Sequence, residues 1–294
     1  MSIKEFSAEV ALAAHTQLGE GPVWDEREQR LFFVDIVGQR VHSFRPDTGA
    51  HHSFDVACPV GAVVLREDGG LVLAAHDAFL VADADGLNVE PFGTFRADGA
   101  VVRFNDGKVD PRGRFCAGTM DWGGSLPIGS LYMLQPDGTV SVLLDEVTVS
   151  NGLAWTADGT TMYYIDSRQR AVDAFKFDLE TGALSDRRTV AEFVGMSPDG
   201  MAIDVEGCLW VACWDGARVD RIDPANGRRL AAVHLPTSRV SSVAFGGPRL
   251  NDLYITTARH KAEDALLAPE PDAGDLFVAQ PGVSGPPAFR FRYG

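Results

Sequence analysis

Short apolar runs alternate with turns rich in Asp, Gly and Pro along the whole chain, and they recur at a nearly fixed interval. Six segments open alike: Gly21-Pro-Val-Trp24, Gly61-Ala-Val-Val64, Gly107-Lys-Val-Asp110, Gly152-Leu-Ala-Trp155, Gly200-Met-Ala-Ile203 and Ser242-Val-Ala-Phe245. Their openers lie 40, 46, 45, 48 and 42 residues apart. A turn such as Ala157-Asp-Gly159 follows each, and then a second apolar run such as Leu31-Phe-Phe-Val34 or Met162-Tyr-Tyr-Ile165. Third runs alternate apolar and polar residues, as in Arg40-Val-His-Ser-Phe44 and Arg218-Val-Asp-Arg-Ile222, which is the period of a half-buried strand. No stretch sustains a helical period with caps.

Six units of about 45 residues, each with room for four strands, predict one all-β domain over residues 1–294. The expected fold is a six-bladed β-propeller with four antiparallel strands per blade. After Ser242 only three strands fit, the last near Asp275-Leu-Phe-Val-Ala279, while the N-terminal run Glu9-Val-Ala-Leu-Ala13 has no blade of its own. That run is expected to form the outer strand of the last blade, which closes the ring and removes an exposed sheet edge.

The residues just before the six openers are Glu20, Val60, Asp106, Asn151, Asp199 and Ser241. In a propeller the first strand of each blade lines the central channel, so these positions form a ring about the axis. Four of the six carry a carboxylate or an amide oxygen. Clustered carboxylates repel one another, and partial burial makes the repulsion costly, so a bound cation is the expected resolution. An all-oxygen donor set suits Ca2+, Mg2+ or Mn2+, with Zn2+ or Fe2+ open on intrinsic affinity. Histidine is absent from the ring, which disfavours a structural zinc site.

The motifs Leu18-Gly-Glu-Gly-Pro22, Arg103-Phe-Asn-Asp-Gly-Lys-Val-Asp110, Ala117-Gly-Thr-Met120, Ser150-Asn-Gly-Leu153, Pro198-Asp-Gly-Met201 and Leu209-Trp-Val-Ala-Cys213 run in order over nearly the whole chain. Together they resemble the regucalcin (senescence marker protein)/gluconolactonase family, six-bladed propellers that bind one divalent cation and hydrolyse sugar lactones. The resemblance implies metal ligands at Glu20, Asn151 and Asp199 but not at Asp106, which then sits behind them. It also implies substrate contacts from Arg103 and Asn105. In regucalcin a sugar-holding glutamate follows Gly-Thr-Met by three residues, where this chain has Gly123. Asp121 or Trp122 is expected to take over part of that role.

The implied reaction is hydrolysis of an aldonolactone to its open-chain acid, with Asp199 as proton acceptor as well as ligand. Three alternatives stand beside it: a calcium-binding regulatory propeller without turnover, a propeller scaffold that binds a partner on one face, and an arylester or organophosphate hydrolase, which wants an apolar pocket. No Gly-x-Ser-x-Gly elbow is present, which disfavours a serine hydrolase. His76 ends a second strand where a blade can face the pocket, and the segments 121–129 and 259–274 are long enough to shape or cover its mouth.

Charge and cysteines refine the class. A formal net charge of −15 argues against a nucleic-acid or anionic-membrane partner, since polyanions are repelled at long range. No apolar run approaches the length of a membrane span, and the N-terminus lacks a secretory pattern. Cys58, Cys116, Cys208 and Cys213 show no zinc-like spacing and are expected to be free thiols in the cytoplasm, with a Cys208–Cys213 bridge left open by spacing.

Overall fold

The computed structural model describes residues 3–259 and 270–293. It is a six-bladed β-propeller: six sheets, each with its first strand innermost and later strands added outward by antiparallel hairpins. The innermost strands are Gly19–Asp25, Val60–Leu65, Val102–Val109, Ser150–Trp155, Ser197–Ile203 and Val240–Gly246. One three-residue 3-10 turn, Ser167–Gln169, is the sole helical element among the described residues.

Burial falls from axis to rim. All six residues of Val60–Leu65 and of Ser150–Trp155 are buried, whereas the outer strand Ala50–Asp55 has none. Each blade packs a neighbour on both faces, so the inner and second strands read as continuous apolar runs while only the outer ones alternate. The core accordingly divides into six clusters, one between each pair of adjacent blades. Phe32, Val34, Val63 and Leu73 join blades 1 and 2. Phe79, Phe104, Phe115 and Val64 join blades 2 and 3. Trp24, Phe33, Tyr254 and Leu276 join the last blade to the first and complete the ring.

Closure takes the expected form and adds two features. Glu9–Leu12 pairs antiparallel with Leu276–Ala279 and supplies the outer strand of the last blade. Before it, Lys4–Ser7 runs parallel to Arg228–His234 and gives blade 5 a fifth strand. After the last strand the chain passes beneath the ring. Ser284 bonds Val205 in blade 5, Gly285 bonds Leu250 in blade 6, Phe291 bonds Leu65 and Glu67 in blade 2, and Arg292 bonds Gly113 in blade 3. Arg290 pairs with Asp25 of blade 1. This tail therefore ties five of the six blades together at the end of the channel away from Glu20.

Every inner strand carries a register shift at its opener: Glu20/Val23, Val60/Ala62, Phe104/Gly107, Asn151/Leu153, Pro198/Met201 and Val240/Ser242. A bulge re-aims a side chain out of the strict alternation of the pleat. The recurring glycine has a second purpose, because a Cβ on Gly152 would lie 2.7 Å from the Asp199 carbonyl oxygen and one on Gly61 would lie 2.3 Å from that of Asn105. Without side chains there, neighbouring inner strands close up around the axis.

All four cysteines are free, so no Cys208–Cys213 bridge forms. No helix among the described residues is long and apolar enough to cross a membrane. The segment 259–274, expected as a cover, lies mostly outside the described residues.

Candidate metal centre and substrate pocket

Glu20, Asp106, Asn151 and Asp199 sit at or beside the bulges of blades 1, 3, 4 and 5, and all four are buried. Arg103 and Asn105, on the inner strand of blade 3, are buried with them. A chain of hydrogen bonds connects these blades. Arg103 Nη1 donates to Asn105 Oδ1 at 2.8 Å, and Asn105 Nδ2 donates to Asn151 Oδ1 at 3.0 Å and to the Ser150 carbonyl at 2.8 Å. Asn151 Nδ2 donates to Ser167 Oγ at 2.7 Å, which in turn donates to the Pro198 carbonyl at 2.6 Å, next to Asp199.

This network fixes the Asn151 amide. Its nitrogen is spent on Ser167, so its oxygen faces Asn105 and keeps a second lone pair. Glu20 Oε2 accepts from the Gly21 N–H at 2.9 Å, and Asp106 Oδ1 accepts from the Gly107 N–H at 2.7 Å. In both cases the bulge turns a backbone donor onto the carboxylate that precedes it.

Burial, and then the charge of Asp106, raises the pKa of Glu20. Burial, and then the charges of Glu20 and Asp106, raises Asp199 well above the usual carboxylate range, with Arg103 opposing. Arg103 is itself lowered by burial, against which the charges of Glu20 and Asp199 work. Burial also raises Asp106, with the charge of Lys108 countering it. Lys108 donates to the Met201 carbonyl at 2.6 Å. Burial and the charge of Asp106 thus work against ionisation of both Glu20 and Asp199, and Arg103 offsets this only in part. A bound cation would offset it further.

The donor set offered is two carboxylates and an amide. Among the described residues, no three His, Cys, Asp or Glu side chains gather as a metal-holding group by themselves. Glu20 and Asp199 with the Asn151 oxygen nevertheless fit a hard divalent cation, because each is an oxygen donor and three protein donors leave positions free for water and substrate.

Asp121 is engaged otherwise than expected. Its Oδ1 accepts from the N–H groups of Ser125 and Leu126, and its Oδ2 accepts from that of Gly123. Burial works against its charge, but these donors outweigh it and hold its pKa below the usual range. Asp35 and Asp166 end the second strands of blades 1 and 4 at the same phase and also collect backbone donors, but theirs include the segments leading into the inner strands, Leu18 with Gly38 for Asp35 and Thr148 with Val149 for Asp166. Asp121 stands at the blade 3 position equivalent to Asp35 and Asp166, and three backbone N–H donors already converge on its carboxylate. The recurrence of Asp35, Asp121 and Asp166 at the ends of the second runs carries this signal. Ser167 and Lys108, both woven into the site, do not stand out in the sequence. Lys108 lies two residues after Asp106 on the same inner strand, which is the one cue available.

A polar cleft of about 380 Å3, lined by Asp25, Arg27, Glu28, Arg30 and Arg290 among others, lies at the tail end of the channel and shares no residue with this site.

Comparison with known proteins agrees with this architecture. Residues 18–259 match the family described as SMP-30/Gluconolactonase/LRE-like region. The chain is 42% identical over 283 residues to regucalcin of Xenopus laevis, covering 93% of this chain and 95% of the relative. A luciferin-regenerating enzyme superposes with a TM-score of 0.90 at 32% identity, covering 97% of this chain and all of the other. A gluconolactonase from Xanthomonas campestris superposes with a TM-score of 0.73 at 25% identity, covering 92% and 88%. The chain belongs to the SMP-30/gluconolactonase/LRE-like family.

Proposed function

We propose that this protein hydrolyses a sugar lactone to the corresponding aldonic acid, with one divalent cation held by Glu20, Asn151 and Asp199. The observation that carries this reading is the hydrogen-bonded line Arg103–Asn105–Asn151, which joins polar groups suited to a sugar directly to a candidate metal ligand. Membership of a family named in part for gluconolactonase supports a lactonase-type role.

The cation, when bound, supplies Lewis-acid polarisation of the ester carbonyl. Glu20 and the Asn151 amide oxygen hold and orient it. Arg103 presents a fixed guanidinium fork, and Asn105 keeps that fork directed. Together they orient the sugar hydroxyls or steady the negative charge that grows on the carbonyl oxygen as water attacks. Asp199 accepts a proton from that water as its oxygen bonds to the carbonyl carbon. The bond from that carbon to the ring oxygen then breaks, and the ring oxygen takes the proton held by Asp199 and leaves as a hydroxyl, so one water is consumed per ring opened and Asp199 is restored.

A regulatory propeller that only binds a cation has no need of a buried arginine wired to a ligand. The test is acid release from a panel of five- and six-membered aldonolactones, before and after chelation and after repletion with single cations. We expect loss on chelation and selective recovery with one or two ions. Turnover indifferent to the chelator would remove the metal from the reaction, and turnover of no lactone would remove the function.

A further inference from the structure

We infer that Trp122, braced by His76, is the specificity-determining side chain of this pocket, and that the preferred substrate is a lactone with an apolar ring face or ring substituent. This rests on the lactonase reading above and narrows it. Trp122 directly follows Asp121, whose cross-strand partner is Val102; the next pair inward is Arg103 with Met120. His76 directly follows Ala75, whose partner is Val60 at the opener of blade 2. Both aromatic residues therefore stand at the same end of the ring as Glu20 and Asn151, Trp122 two residues beyond Met120, the partner of Arg103.

The two side chains are tied to one another and to the pocket strand. Trp122 Nε1 donates to the Gly99 carbonyl at 3.3 Å, and His76 Nε2 lies 3.1 Å from the same oxygen. Their ring centroids are 5.6 Å apart with planes tilted by 54°. The His76 carbonyl accepts from the Phe104 N–H at 2.7 Å, between Arg103 and Asn105. The backbone beneath the indole is pinned by the three N–H donors that Asp121 collects.

Exposure distinguishes this tryptophan. Trp24, Trp155 and Trp210 are at most 4% exposed, whereas Trp122 is 47% exposed. Val101 on the facing segment, and Leu126 and Ile128 on the same loop, are exposed large apolar residues too. Exposed apolar side chains on and opposite the loop that carries Trp122, beside a polar pocket, offer surface for a ligand to cover. The indole N–H is already spent on Gly99, so Trp122 offers a ring face and no further donor. It reads C–H surface by stacking and is indifferent to the configuration of a hydroxyl there.

The test uses two lactones of one ring size, one polyhydroxylated and one bearing an alkyl group in place of a ring hydroxyl remote from the carbonyl. Their non-hydrolysable lactam analogues serve as fluorescence probes. Trp122→Ala is expected to lower kcat/KM for the alkyl lactone about tenfold through KM, with a smaller loss for the hydroxylated one. Trp122→Phe restores most of it. His76 is a positioning residue, so His76→Ala raises KM for the alkyl lactone with kcat held, and His76→Gln, which keeps a donor for Gly99, recovers it. The alkyl lactam should perturb indole emission in the native protein and not in Trp122→Phe. Equal losses on both lactones, no loss on either, or unchanged emission would overturn the inference. If no lactone is opened yet the lactams show the Trp122-dependent preference, the hydrolysis reading fails while the stacking assignment stands.

Discussion

Replacing Asp199 with Asn is expected to cut lactone hydrolysis by about 10²–10⁴-fold while leaving the metal-free protein as stable as before, or more so. Asn keeps the shape and one oxygen but cannot accept the proton from water. It also removes one of three carboxylates that repel each other in a desolvated space, where the charges of Glu20 and Asp106 push Asp199 away from ionisation. The two effects have opposite signs, and that separates a site role from a folding defect. Kinetics and thermal unfolding, each with and without cation, read both. Stabilisation by added cation should shrink in the variant, since the stabilisation given by a ligand that binds only the folded state rises with the logarithm of its affinity. Retained turnover, or lost turnover accompanied by a collapsed melting temperature, would contradict the assignment.

Phe291→Ala is expected to cost about 3–5 kcal/mol of stability, a severe loss for one residue that touches nothing in the pocket. Phe291 is fully buried between blades 2 and 3, and Phe92 meets it edge-on with centroids 5.8 Å apart. Its backbone bonds both Leu65 and Glu67. If the tail only decorated the ring, the truncated side chain would cost little, because the tail would detach and the propeller would stand. The links to blades 5, 6, 1, 2 and 3 make it a tie across the base, so its loss should lower the urea midpoint of the whole molecule. The kcat of the folded fraction should hold. A change below about 1 kcal/mol would show that the six interblade clusters carry the fold without the tail.

The blade count, the closing strand Glu9–Leu12 and the ring positions are legible in the sequence because they repeat, and residues at the same phase of a repeat occupy equivalent places in the fold. The ring positions are legible for a further reason. At Gly61, Gly152 and Gly200 the glycine beside the bulge lets adjacent inner strands meet, so in those blades the spacing of one reveals the other. Asp121 is deceptive by comparison. Its place next to Gly-Thr-Met speaks for the pocket, while its phase, shared with Asp35 and Asp166, speaks for the framework, and the three backbone donors on its carboxylate agree with the phase. The tail and the parallel strand Lys4–Ser7 leave little trace, since neither repeats: the strand pairs through backbone groups that many residue types supply, and the tail's anchors, Phe291 and Arg290, occur once. The direction of the Asn151 amide is hidden for another reason. It depends on Ser167, a residue from beyond the next strand whose part is visible only once the blade is folded.

Anomalous diffraction from crystals equilibrated with Mn2+ tests the central claim most directly. A single peak on the propeller axis is expected, about 2.0–2.6 Å from oxygens of Glu20, Asn151 and Asp199, with Asp106 behind it. A channel with no peak, or a peak that Asp106 holds without those three, would contradict it.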